Sequence, residues 1–92
     1  MYLEIVSPEA TLFQGEVNAV SVPGVQGSFQ VLNNHAAIVS SLTVGEAKIE
    51  GNIDVADAFK PLFTKKGSDT IVTLSNGGTF EMSNNKAILF VD

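Results

Sequence analysis

The chain has no cysteine, no tryptophan and no arginine, and only one histidine and one tyrosine in 92 residues. Without cysteine there are no disulfides and no thiolate zinc site, and the fold needs no oxidising compartment. Five lysines face ten acidic residues, a net charge of -5. A nucleic-acid binder needs a basic patch to displace phosphate counterions, and an anionic lipid surface asks for the same. Lys65-Lys66 beside Gly67 is too small for either, so neither nucleic acid nor direct lipid insertion is expected. The missing arginine removes the usual planar clamp for phosphate. One tyrosine and no tryptophan leave little for a sugar-stacking platform. No stretch approaches the roughly 18 uninterrupted apolar residues of a membrane span. The opening "MYLEIVSPEA" has neither a basic leader nor a small-residue cleavage site, so a cytoplasmic location is expected.

What remains is a run of short apolar segments cut by turn residues every eight to twelve positions. That spacing predicts one all-β domain over residues 1–92. Its core is modest, because a chain this short buries only about 60–65% of its unfolded surface. Tyr2–Val6 alternates, with Leu3 and Ile5 on one face. Pro8 ends it, since proline cannot donate to a ladder. Ala10–Phe13 is a short second strand punctuated by Gly15, and Glu16–Val22 a valine-rich third ending at Pro23-Gly24. Gly24–Gly27 is a tight hairpin into Ser28–Leu32, with Phe29 and Val31 on one side. Asn33-Asn34 opens a loop. Ala37–Leu42 and Glu46–Glu50 follow, the latter with Ala47 and Ile49 inward. Thr70–Leu74, Thr79–Met82 and Ala87–Val91 form a meander, joined by "SNGG" and "SNNK". Ala87–Val91 is apolar throughout, as expected of a central buried strand.

Gly51–Asp69 breaks the rhythm. Val55, Ala56 and Phe59 have helical spacing behind Asp54, a plausible N-cap. Pro61 limits any helix to about Val55–Phe59, so a short helical or irregular insertion is expected near residues 52–66. Phe59, Leu62 and Phe63 either cap one open end of the sandwich or form an exposed docking patch. Capping is the expectation, since soluble domains rarely expose contiguous apolar patches.

No reactive constellation stands out. HExxH, GxSxG and glycine-rich phosphate loops are absent. His35 has no second histidine, and the nearest following carboxylate, Glu46, is a strand and a turn away. The glutamates mostly fall on the polar phase of the strands, as on a solvated face. No catalytic residue, metal ligand or cofactor is expected. His35 is a loop residue, and binding concentrates on loops held by a rigid sheet.

Several motifs then resemble one family in order and spacing: Leu3–Pro8, Phe13–Gly15, Gly27–Leu32, His35-Ala36, Ser41-Leu42, Gly45, Gly77–Asn85 and Lys86–Asp92. The chain looks like the amino-terminal domain of the epsilon subunit of F-type ATP synthases. It departs from that pattern at Asn33-Asn34, where the family has Pro-Gly, at Gln30 and Ala37, and in the longer Gly51–Asp69. The resemblance implies a flattened ten-stranded β-sandwich or barrel. It implies a non-catalytic rotor subunit of the central stalk, peripheral to the cytoplasmic face of the bacterial cell membrane. There it links the gamma subunit to the c-ring and couples ion movement to ATP synthesis. The family commonly adds a carboxy-terminal helical hairpin that restrains ATP hydrolysis, and with Asp92 as the last residue a short form without it is expected. On this resemblance Gln26, Gly27, Ser28, Phe29, Asn33, Asn34 and His35 face the ring, and Ser7, Pro8, Ile38, Ser41 and Leu42 face gamma. The competing reading is a free-standing β-sandwich module that binds a protein or a small ligand.

Overall fold

The computed structural model describes residues 1–92. Ten strands follow in chain order: β1 (Tyr2–Val6), β2 (Thr11–Glu16), β3 (Ala19–Gly24), β4 (Gly27–Leu32), β5 (Ile38–Leu42), β6 (Gly45–Glu50), β7 (Phe63–Lys66), β8 (Asp69–Leu74), β9 (Gly78–Ser83) and β10 (Lys86–Val91). One 3-10 helix, Asp57–Leu62, precedes β7. Hydrogen bonds link the strands in the order β2-β1-β10-β9-β5-β3-β6-β8-β7, with β4 pairing β3 off that path. β5 and β3 meet at a single pair, Leu42 and Gly24. The sheet turns at this corner, leaving two five-stranded leaves, β2-β1-β10-β9-β5 and β4-β3-β6-β8-β7. This is the expected flattened all-β sandwich.

Period-two alternation builds the core between the leaves. Leu3 and Ile5 of β1, Ala87 and Leu89 of β10, and Phe80 and Met82 of β9 are buried from the first leaf. Val20 and Val22 of β3, Val31 of β4, Ala47 and Ile49 of β6, and Val72 and Leu74 of β8 meet them from the second. Each fully buried aliphatic side chain contributes about 1.5–3 kcal/mol. Truncating one, as in Leu3→Ala, costs about 2–5 kcal/mol because the cavity persists. β1 and β10 pair in parallel, Tyr2 beside Lys86 through Val6 beside Phe90.

Four local expectations are corrected. β2 runs through Gly15 to Glu16, because the bare Gly15 lets the Phe13 ring lie within 3.0 Å of where a Cβ would stand. β3 begins at Ala19 and continues through Pro23, whose carbonyl accepts from Thr43 N–H at 2.9 Å. The insertion holds a 3-10 helix over Asp57–Leu62 in place of a helix at Val55–Phe59. Ala56 takes the cap position without any side-chain bond, so Asp54 is not the cap. The insertion also supplies β7, the tenth strand, which pairs with β8 from Phe63 beside Val72 to Lys66 beside Asp69. Phe59 and Phe63 pack on the core as a cap, while Leu62 is exposed.

The fourth correction concerns β10. It is central in its leaf, between β1 and β9, but buried on one face only. Ile88 is half-buried and Phe90 is 36% exposed. A two-leaf sandwich has no third layer to cover an outer face.

Candidate docking surface

Directly opposed residues on neighbouring strands point to the same side of a sheet. The registers therefore place Val6, Phe90, Thr79 and Ser41 in one row across the outer face of the first leaf. Glu4, Ile88, Glu81 and Val39 form the next row. Register and alternation make Val6, Ile88 and Phe90 neighbours near the middle of this face, and Val39 stands two strands from β10, 71% exposed. The polar margin is ordered: Lys86 Nζ pairs with Glu4 at 3.1 Å and sits 5.8 Å from the centre of the Tyr2 ring.

A groove of about 460 Å3 opens beside Val39, between the β3–β4 hairpin and β5. Phe29 and Ile38 provide its apolar lining and Ser40 and Ser41 its polar side. Phe29 lies against Gly24, where an added Cβ would come within 2.9 Å of the ring, and meets Phe80 edge-on at 6.3 Å. The hairpin tip is a two-residue connection, Val25-Gln26. Gly27 takes φ 125, a conformation that glycine accepts without strain. Val25 N–H donates to Ser41 O at 3.1 Å, which fixes the tip against β5. Val25 and Val44, on neighbouring turns, are more than half exposed. Of the large exposed apolar side chains, Val39 and Phe90 lie on the outer face of the first leaf and Val25 and Val44 in the turns beside β5, while Leu32 on β4 and Leu62 in the insertion lie elsewhere. A cluster of such groups marks a candidate protein contact.

The residues assigned to the ring by resemblance fall in two places. Gln26, Gly27 and Ser28 are exposed at the hairpin tip. Asn33, Asn34 and His35 follow the other end of β4, roughly 20 Å away at about 3.3 Å per residue. Phe29 floors the groove and does not project from the tip. The Asn33–His35 turn is tied into the body. Asn33 Oδ1 accepts from the Met1 amine at 2.7 Å, and Asn34 N–H, at φ 62, donates to Asn85 Oδ1 at 2.7 Å. The His35 ring is exposed and its Nδ1 lies 2.7 Å from Ala36 O.

Of the residues assigned to gamma, Ser41 lies on the outer face, while Ser7 and Pro8 lie in the β1–β2 turn at the same end of the leaf. Ser7 N–H donates to Ala10 O at 2.8 Å. Ile38 is half-buried at the groove, and Leu42, 5% exposed, belongs to the core. Val6, Ile88, Phe90 and Val39 were not among the assigned residues. Their signal was the unbroken apolar run of β10, which a thin sandwich cannot cover.

No three acidic or histidine side chains are placed to hold a metal ion. The hydrogen bond from Lys60 to Asp57, reinforced by the charge of that carboxylate, raises the Lys60 pKa, on the insertion and away from this face.

What the structure offers is a β-sandwich with exposed apolar groups at Val39 and Phe90 and an adjoining groove, a candidate contact surface and not a catalytic centre. The chain belongs to the family described as the ATP synthase delta/epsilon chain beta-sandwich domain, whose model matches residues 1–92. It is 36% identical over 90 residues to the ATP synthase epsilon chain of Chlorobaculum tepidum, covering 98% of this chain and 86% of that one. Against the epsilon chain of Campylobacter curvus it is 34% identical over 92 residues, covering 97% and 70%. Among solved structures, a chain in the central stalk/c-ring structure of the Tetrahymena thermophila mitochondrial ATP synthase shares the fold. The TM-score is 0.71 at 15% identity, over 98% of this chain and 61% of that chain's length.

Proposed function

We propose that this chain is a non-catalytic rotor subunit of an F-type ATP synthase, docked on the gamma subunit and reaching the membrane c-ring. One observation carries the reading: the outer face of the first leaf is apolar at Val6, Ile88, Phe90 and Val39, with nothing in the fold to cover it. A permanent partner is the physical remedy for such a face. Family membership and the central-stalk setting of the structural neighbour support gamma as that partner. No helix is long and apolar enough to cross a membrane, which fits a peripheral place on the cytoplasmic face of a bacterial cell membrane.

The ring contact is best assigned to Gln26, Gly27 and Ser28. They project freely, and a Cβ at Gly27 would meet nothing within 4 Å. The Asn33–His35 turn is committed to internal bonds at the other end. Coupling of ion flow to synthesis then rests on a closed sandwich passing torque between its two contacts.

The test is co-purification with gamma from the same genome. Phe90→Asp with Val39→Asp is expected to keep the melting temperature and lower gamma affinity at least tenfold. Ser28→Lys is expected to leave gamma binding intact and weaken coupled proton pumping in rebuilt membranes. Unchanged gamma binding in the double variant would sink the assignment of the face.

A further inference from the structure

The second leaf contains a cavity of about 350 Å3 between Ile53–Val55 and the β7–β8 edge. Ile53, Val55 and Phe63 line it with apolar groups, and Asp54, Lys65 and Thr70 add polar ones. Lys60 also reaches it but is held by Asp57 at 3.0 Å.

One of these residues is unexplained by folding. Thr70 is 1% exposed, and its Oγ1 has no hydrogen-bond partner. A valine would fill the same space without an unpaired hydroxyl, so the fold alone gives no reason for threonine. Lys65 stands opposite Thr70 in the β7–β8 register. Its side chain therefore leaves the edge strand on the inner side, and the residue is exposed at the rim of the cavity. It takes no part in the ion pairs that Lys48, Lys60 and Lys86 make. An inward lysine on an edge strand also discourages strand pairing between molecules. That accounts for the charge but not for the hydroxyl beside it.

We propose that this cavity binds a small organic monoanion, a carboxylate on a short apolar chain. The chain lies on Ile53, Val55 and Phe63. The carboxylate accepts from the Lys65 ammonium and from the otherwise unpaired Thr70 hydroxyl. Asp54 also lines the cavity and opposes any anion, a doubly charged one more than a singly charged one, so the site favours hexanoate over inorganic phosphate. The cavity lies away from the docking face, and its occupancy does not depend on the rotor reading.

The experiment is a titration of the 15N-labelled chain with hexanoate, followed by amide shifts. Saturable shifts at Ile53, Val55, Phe63, Lys65 and Thr70 in the millimolar range are expected, a strength within reach of eight heavy atoms. Thr70→Val should melt no lower than the parent and bind about fivefold or more weakly, as loss of one hydrogen bond implies. Thr70→Ser, which keeps the hydroxyl, should bind like the parent, and Lys65→Met should lose at least tenfold. The proposal is overturned by shifts that do not saturate, by parent-like binding of Thr70→Val, or by equal shifts with inorganic phosphate.

Discussion

Asn33 and His35 stand two positions apart in one turn, yet only Asn33 is bound into the body of the fold. Its Oδ1 accepts from the Met1 amine, which also donates to Val17 O at 3.1 Å. A hydrogen bond to a charged donor contributes about 1.5–3 kcal/mol. Asn33→Ala is therefore expected to lower unfolding free energy in urea by about that amount. The exposed His35 ring is bonded only to its neighbour's carbonyl, and the backbone bond from His35 N–H to Leu32 O does not depend on it, so alanine should be tolerated there within about 0.5 kcal/mol. Equal losses for the two variants would show that the turn is held by its backbone alone. Gly78 is a second position where one atom decides. An added Cβ would run into the Phe90 carbonyl on the paired strand. Gly78→Ala must push β9 from β10 in the middle of the first leaf. It is expected to cost about 2–4 kcal/mol, read from the shift of the denaturation midpoint at constant slope.

The strands show what the sequence alone could specify. Where one face is buried and the other wet, alternation gave strand and facing together: Leu3 and Ile5, Ala47 and Ile49, Phe80 and Met82 all lie inward. Strand ends were less legible. Gly15 and Pro23 look like stops, but each is absorbed by a specific partner, a Phe13 ring and a Thr43 amide. β7 was missed because "FTKK" pairs along one edge only and puts a lysine on the inner side, so it lacks the alternation of a core strand. The half-exposed outer side of β10 was written in its unbroken apolar run, which reads as a buried strand. Partner loops carry no such pattern. Resemblance grouped Gln26 with Asn33, and only the register of β4 separates them. An apolar strand facing outward in a free-standing sandwich has a measurable mark. Ile88→Thr with Phe90→Thr should improve solubility of the isolated chain without lowering its melting temperature by more than a few degrees. A large loss of stability would mean that these side chains serve the fold and not a partner.

The whole molecule spans 32 by 25 by 25 Å. Its broad face projects roughly 800 Å2, about the area each partner contributes to a stable interface. Gamma would therefore occupy one leaf almost entirely, leaving the turns at its end for a second contact. With a net charge of -5, the isolated chain should stay soluble while that face is bare. The pairing of β1 with β10 has a mechanical consequence. The two strands run the same way, so the amino end of β1 and the carboxy end of β10 leave the sheet at opposite ends. Pulling on the chain termini then shears the whole row of inter-strand bonds at once. Pulling between Asn76 and Asp92 instead peels β9 from β10 rung by rung, because those strands are antiparallel and end side by side. In single-molecule pulling, the first geometry is expected to need the larger force. Equal forces would show that the parallel pair is no clamp. A domain that is strong in shear and weak in peel is loaded safely only along its strands.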